Sequence, residues 1–374
     1  MGKQTVYFPN LNGLRFIAAL LVIIHHIEQL KSIFSIDNYL GTVPFIHIIG
    51  KLGVILFFVL SGFLITYLLL TEEEKTKTIG VRDFYIRRIL RIWPLYYLIV
   101  LLALCIIPNL SMFTYPGLEK AIVYKDLHIK VSLYIFFLSN LAFAWFGDIP
   151  YLAHTWSIGT EEQFYLLWPV ILKYFKKHRI LLMASVVVVY LLIFKVISFS
   201  YFDTVRGKYH IKEFWSSFNI DCMAIGGFYA LLLFQKSKFL KFFMNKYLFY
   251  FVLLLTLILM IKGVYIPYIH YEVYATLFGI IILNFAANAD IAISLENKVF
   301  RYLGKISYGL YMYQTICIAL AIVLCKAIGI VSNWLLYPMS LFLIILTAGL
   351  SYRYYESAFL KLKTRFSSIL SGDS

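Results

Sequence analysis

The sequence predicts an all-α polytopic membrane protein with about ten transmembrane helices and both termini in the cytoplasm. Of its 374 residues, 61% are hydrophobic and only 14% are charged, whereas a soluble domain has roughly 45 to 50% apolar and 25% charged residues. The apolar residues are gathered in long runs, and about 20 such residues suffice to cross a bilayer as a helix. A water-soluble fold is therefore excluded.

Eleven apolar runs are the predicted helices, in chain order. They cover residues 11–29, 44–71, 89–107, 134–147, 157–172, 180–198, 214–234, 247–266, 271–287, 305–328 and 333–356. We interpret the first run as a retained helix rather than a cleaved signal peptide. The reason is that Arg15, His25 and His26 interrupt it and no small-residue cleavage site follows.

Basic residues predict which connections are cytoplasmic. Lys and Arg number 34 against 19 acidic residues, a net charge of +15, and in a membrane protein such an excess collects in cytoplasmic loops. The densest basic connections are 72–91, 173–179 and 236–246, and the carboxyl end is also basic. We predict that these segments lie inside and that the charge reflects topology, with no nucleic-acid partner.

One of the eleven runs cannot be a full crossing. The chain must pass from an outer segment at 108–133 to the inner loop at 173–179, which requires an odd number of crossings. The runs 134–147 and 157–172 therefore cannot both span. Since the first has only 14 residues, we predict a re-entrant or interfacial segment near 134–147, and about ten spans remain.

The chain is predicted to be a single integral-membrane domain over residues 1–374, because no linker, repeat or low-complexity tract divides it. Its core extends over about 8–360, followed by a short cytoplasmic tail at 361–374. The outer segment 108–133 and the loop 199–213 are long enough to shape an external acceptor site. The four cysteines lie in apolar runs without metal-ligand spacing, so we predict no metal.

Arg15 and His26 form the sharpest pair of ionisable residues within a predicted span. Eleven residues correspond to about 1100° of helical rotation, or three turns plus about 20°, and to about 16 Å of rise. The two side chains therefore share a helix face, which suggests a pocket axis that crosses the bilayer. His25 points elsewhere and is expected to bond to a neighbouring helix.

Further charged residues lie in or directly beside the third, fifth and seventh apolar runs. Arg88 and Arg91 are three residues apart and suit bidentate phosphate contacts, although from their position alone a juxtamembrane lipid anchor is the better explanation. Glu161 and Glu162 enter a span with Tyr165 one turn beyond Glu161, and a snorkelling interfacial pair is the alternative. Asp221 is a buried acid for which we expect a basic or hydroxyl partner. Such residues cost about 2.5–3.5 kcal/mol each in a span, so each is a functional candidate.

Seven ordered strings resemble the membrane acyltransferase-3 family, the bacterial O-acetyltransferases that modify surface polysaccharides. They are LNGLRFIAALLVIIHH (11–26), GVILFFVLSGFLI (53–65), RRILRIWP (87–94), TWSIGTEEQFYLLWP (155–169), FNIDCMAIGG (218–227), ISYGLYMYQ (306–314) and YRYYESAFL (352–360). The strings depart from the family's usual residues at Asn12, Ile55 and Gln314.

The resemblance implies an acyltransferase of the bacterial cytoplasmic (inner) membrane. It implies an acyl-CoA donor, usually acetyl-CoA, and a hydroxyl of a cell-surface or lipid-linked glycan as acceptor, with membrane lipids as surroundings. The implied catalytic residues are His26, Arg15 and Glu161, and the implied donor-binding residues are Arg88, Arg91 and Arg15. Substrate-binding or supporting roles are implied for Trp156, Glu162, Tyr165, Asp221 and Tyr308.

Two alternatives stay open at this level. His26 could be a general base for the sugar hydroxyl or a nucleophile that carries the acyl group. The same buried charges could also line the pathway of a transporter or flippase for a glycan, lipid or anion. A transporter would be favoured by two inverted halves, and we find no such internal symmetry in the sequence.

Overall fold

The computed structural model describes residues 4–116, 123–198, 210–367 and 369–371, and nearly all of them are helical. The two loops expected to shape an acceptor site lie partly outside these ranges, at 117–122 and 199–209. The helices are α1 (Leu11–Ile33), α2 (Pro44–Thr76), α3 (Val81–Leu101), α4 (Leu127–Ile135), α5 (Ser139–Phe146), α6 (Trp156–Tyr174), α7 (Arg179–Ile197), α8 (Ile211–Ser217), α9 (Ile220–Phe234), α10 (Leu240–Phe243), α11 (Lys246–Ile261), α12 (His270–Ala287), α13 (Lys298–Lys305), α14 (Ser307–Ile328), α15 (Asn333–Ser351) and α16 (Ser357–Lys363).

Eight helical segments of the described chain are long and apolar enough to cross a membrane. They are Leu11–Ile33, Pro44–Thr76, Val81–Asn109, Lys176–Ile197, Ile211–Phe234, His270–Ala287, Ser307–Ile328 and Asn333–Phe366. The all-α polytopic membrane fold is thereby confirmed.

Two further helices occupy apolar runs that we predicted to be spans. Each is too short or too charged to be identified as a membrane-crossing helix by length and composition. Helix α6 has 19 residues and carries Glu161, Glu162 and Lys173. Helix α11 has 16 residues, about 24 Å of rise against a hydrocarbon core of about 30 Å. The count of ten spans therefore stays a prediction that depends on these two helices.

The apolar run 134–147 is divided between two short helices. Helix α4 has 9 residues and α5 has 8, and they are separated by Phe137, whose φ of 55° breaks the helical path. Each helix rises only about 12 to 14 Å, so neither can cross a bilayer alone. This agrees with the expectation that the run is not a full span, and its depth in the membrane stays a prediction.

The two ends of the chain lie side by side. Strand β1 (Gln4–Val6) pairs in parallel with strand β2 (Ile369–Ser371). Basic residues gather at the same end of the bundle, where Arg87 Nη1 donates to the carbonyl of Phe366 at 2.9 Å. Paired ends require an even number of crossings, and the cytoplasmic location of this end stays a prediction.

Helix α2 is central and α7 is peripheral. In the most apolar part of each helix, 72% of residues are buried in α2 but only 11% in the segment that contains α7. Helices α2 and α9 touch through their backbones, since a Cβ on Gly62 would lie 1.9 Å from the Met223 carbonyl oxygen and one on Gly226 would lie 2.1 Å from the Val59 oxygen. Such close crossings are typical of membrane helices with small residues at the contact.

Candidate active site

A cavity of about 140 Å³ lies between the N-terminal segment, α1, α2, α3, α6 and α14. We call it the main cavity. It is lined by Val6, Tyr7, Phe8, Leu11, Asn12, Arg15, Val54, Phe57, Ser61, Leu64, Ile65, Leu68, Arg88, Arg91, Ile92, Ser157, Ile158, Glu161, Tyr165, Ser307, Tyr308 and Tyr311. Five stretches that are far apart in sequence (6–15, 54–68, 88–92, 157–165 and 307–311) therefore meet at one site.

Three arginines line this cavity. Arg15 comes from α1, while Arg88 and Arg91 are one turn apart on α3 and face the same space. The Arg88 guanidinium lies 5.6 Å from the ring centre of Tyr165, and its Nε is buried without a hydrogen-bond partner among the described residues. Because buried donors are rarely left unpaired, this atom marks a place where an anion would bind.

Glu161 is the carboxylate of the main cavity. Tyr165, one turn further along α6, donates a hydrogen bond to it and lies 3.2 Å from Ser61 Oγ of α2. Glu162 is absent from the cavity lining and instead accepts a hydrogen bond of 3.0 Å from Trp93 Nε1 of α3. Of the two adjacent glutamates, Glu161 is therefore the one that faces the arginines.

The histidine cluster, which we define as His25, His26 and His154, lies beside the main cavity. The ring of His26 is 5.6 Å from that of His25 and 6.2 Å from that of His154. His25 Nδ1 is 2.8 Å from the carbonyl oxygen of Ile46 on α2, as expected for a histidine that bonds to a neighbouring helix. His26 Nδ1 and both ring nitrogens of His154 are buried without hydrogen-bond partners within the described ranges.

The main cavity covers only part of the expected pocket axis from Arg15 to His26, because it is lined by Arg15 but not by His26. The ring of Tyr311, which lines the main cavity, lies 5.4 Å from the ring of His154 in the histidine cluster. Its hydroxyl is 2.7 Å from the His154 carbonyl oxygen and 2.8 Å from Ser157 Oγ. These two hydrogen bonds satisfy a buried phenol and hold its ring in place.

Asp221 and Trp156 belong to a different polar cluster. The carboxyl group of Asp221 faces that of Glu272. No basic or hydroxyl group among the described residues forms a hydrogen bond with Asp221, so the expected direct partner is not found. Lys51 is within electrostatic range of Asp221, but its ammonium group lies 3.7 Å from the Trp156 ring centre. It also bonds to the carbonyl of Ser216 at 3.2 Å, which explains why it is not paired directly with Asp221.

Tyr308 lines the main cavity and joins two of its walls. Its hydroxyl donates to the carbonyl of Ile92 on α3 at 2.9 Å. This bond links α14 to the helix that carries Arg88 and Arg91, which fits the supporting role expected for Tyr308.

Sequence reasoning missed Tyr311, Ser157 and His154 as site residues. Two of them could have been found by spacing, because Tyr311 is three residues after Tyr308 and Ser157 is four residues before Glu161, so each pair shares a helix face. His154 precedes the first turn of α6 and has no such periodic signal. No group of three or more metal-binding side chains occurs in the part of the chain that the structure describes.

Comparison with known proteins identifies the family. Residues 8–353 match the model of an acyltransferase domain. The chain is 33% identical over 189 residues to the peptidoglycan O-acetyltransferase OatA of Listeria monocytogenes, which covers 47% of this chain and 26% of that protein. It is 35% identical over 178 residues to a putative O-acetyltransferase of Staphylococcus aureus strain COL, covering 46% and 25%.

The O-acetyltransferase OatA of Staphylococcus aureus strain NCTC 8325 is 33% identical over 177 residues, covering 46% of this chain and 26% of that protein. The matched region thus spans only about a quarter of these curated relatives. No solved structure matches the chain. Since the domain match extends over almost the whole sequence, the chain belongs to the acyltransferase-3 family of integral membrane acyltransferases.

Proposed function

We propose that the protein is an O-acyltransferase of the bacterial cytoplasmic membrane. It moves an acyl group, most simply acetyl, from cytoplasmic acyl-CoA to a hydroxyl group of a cell-surface or lipid-linked glycan. The names of the relatives support O-acetylation. The observation that carries the proposal is the main cavity, in which three arginines lie beside a tyrosine that borders the histidine cluster.

The main cavity suits a phosphorylated donor. Arg15, Arg88 and Arg91 outnumber the single carboxylate, Glu161, in its lining, and guanidinium groups bind phosphates with paired hydrogen bonds. The cavity is also lined by Val6, next to the paired termini. If that end is cytoplasmic, as the basic loops predict, the donor reaches these arginines from the compartment that holds acyl-CoA.

His26 is the proposed general base. It would take the proton of the sugar hydroxyl while the hydroxyl oxygen bonds to the thioester carbonyl carbon. The C–S bond then breaks, and His26 returns the proton to the sulfur so that CoA leaves as the thiol. Arg15 and Glu161 would position the donor, and transfer through an acyl-histidine remains the alternative. Tyr311 lines the main cavity and contacts His154 of the histidine cluster, so we expect its side chain to move when the thioester reaches His26.

Purified protein in lipid nanodiscs should release free CoA from acetyl-CoA when a soluble glycan acceptor is added. His26→Ala should reduce this release by at least about 10²-fold, the usual size of a general-base contribution. His47→Ala is the matched control, because His47 is exposed on α2 and should leave the release unchanged. Binding of acetyl-CoA by His26→Ala verifies that the variant is folded, and unaltered CoA release in that variant would refute the proposed base.

A further inference from the structure

A second, smaller cavity adjoins the main cavity. The two cavities share Ile65, Leu68 and Arg88. The other residues that line the second cavity are Leu69, Glu72, Phe84, Arg87, Lys363, Ser367 and Ile369. Arg88 therefore faces both cavities, and the C-terminal segment forms one wall of the second.

Lys363, the last residue of α16, brings an unneutralised charge to this cavity. No hydrogen-bond or ion-pair partner of its ammonium group is found among the described residues. The charges that act on it most strongly belong to Arg91, Arg88, Arg15 and Arg87. Like charges this close repel strongly in a poorly solvated site, so the cluster is stabilised when an anion lies among them.

Arg87 does not share this need for an anion. It forms a 2.9 Å ion pair with Glu72 and donates to the carbonyl of Phe366 at 2.9 Å. The second bond also fixes the segment that follows Lys363, and Ser367 Oγ donates to the Lys363 carbonyl at 3.1 Å. The cation of the C-terminal segment is therefore held in place rather than presented on a free tail.

The linings of the two cavities contain five cationic side chains and two carboxylates. Arg87 is paired with Glu72, and the other four cations are divided between two places: Arg15 and Arg91 lie with Glu161 in the main cavity, Lys363 lies in the second, and Arg88 faces both. A ligand with one phosphate would neutralise only one of these places. The distribution fits a ligand that carries two separate phosphate groups.

We propose that Lys363 and Arg88 form a phosphate subsite for the nucleotide carrier of the acyl donor, distinct from the phosphate site formed by Arg15 and Arg91. This inference rests on the proposed function. Coenzyme A carries a pyrophosphate and a separate 3′-phosphomonoester, and the monoester is at the end remote from the thioester. The main cavity is the one whose lining contacts the histidine cluster, through Tyr311 and His154. The thioester end therefore belongs to the main cavity, and the second cavity takes the monoester.

Isothermal titration of the full chain in nanodiscs with CoA and with 3′-dephospho-CoA tests the subsite. Lys363→Gln should weaken CoA binding about tenfold, as expected for one charge-assisted contact, and leave the affinity for 3′-dephospho-CoA unchanged. Arg91→Ala should weaken both ligands. Lys361→Gln, an exposed position on the same helix, should change neither, and Lys363→Arg should retain CoA affinity.

Two outcomes would overturn the subsite while leaving the proposed function intact: Lys363→Gln binds CoA like the wild type, or it weakens both ligands equally. A lipid phosphate offers the same chemistry, so the titrations are repeated in discs of phosphatidylcholine alone. A Lys363 effect that appears only when phosphatidylglycerol is present assigns the subsite to lipid and overturns the proposal. Wild-type protein that binds neither ligand would refute the acyl-CoA donor itself and the subsite with it.

Discussion

Glu161 and Glu162 are consecutive in sequence, yet their side chains serve different parts of the molecule. Glu161 faces the arginines of the main cavity and accepts a hydrogen bond from Tyr165, whereas Glu162 joins α6 to α3 through Trp93. The spacing to Tyr165 could be predicted from helical geometry. Which of two adjacent carboxylates faces the cavity could not, because it depends on how α6 is rotated against α3.

This division predicts that two matched variants will lose different properties. Glu161→Gln removes the negative charge that faces Arg15, Arg88 and Arg91, so we expect acyl transfer to fall at least about tenfold because these groups lose their orientation. Glu162→Gln weakens the bond from Trp93, so we expect mainly a lower melting temperature. Transfer rates and thermal melting of both variants check this. Equal losses of transfer in both would contradict the assignment.

The positions of the helices along the chain can be predicted from the sequence more completely than the arrangement of the site residues. Ten of the eleven apolar runs contain a substantial helix, and the short run 134–147 is divided as its length suggests. The contact between α2 and α9 was not predictable, since Gly62 and Gly226 carry no signal of which helix they will meet. These positions are glycine because the backbones of α2 and α9 lie too close together for a Cβ, and that contact exists only in the folded helix packing.

The contact between α2 and α9 predicts a large effect from one methyl group. In Gly62→Ala the new Cβ would meet the backbone of Met223, which cannot move aside as a side chain can, so we expect about 1–3 kcal/mol of destabilisation. Gly349→Ala is the control, because its Cβ would meet only the hydroxyl end of Tyr302 at 2.9 Å. Thermal melting in detergent compares them. A melting temperature for Gly62→Ala equal to that of the control would show that α2 and α9 do not cross this closely.

For the whole molecule, charge and parity predict the topology from sequence, and the pairing of β1 with β2 agrees with an even number of crossings. The parity argument cannot show whether α6 and α11 cross, because losing both would leave the number even. Helix α6 carries the Glu161 site, and the charge that the site needs lowers the apolar character by which spans are identified. The charges of this site thus keep α6 out of the spans that a hydropathy criterion identifies.

Cysteine labelling of intact cells tests both helices. In a Cys105→Ser background, which removes the exposed native thiol, we expect a membrane-impermeant maleimide to label Asp148→Cys and Tyr268→Cys in intact cells. Lys177→Cys and Lys241→Cys should react only after permeabilisation, because ten spans place these basic loops inside. All four positions are exposed in the structure, so accessibility depends on the side of the membrane.

Labelling of Asp148→Cys and Lys177→Cys from the same side would show that α6 does not cross. Labelling of Lys241→Cys and Tyr268→Cys from the same side would show that α11 does not cross the membrane.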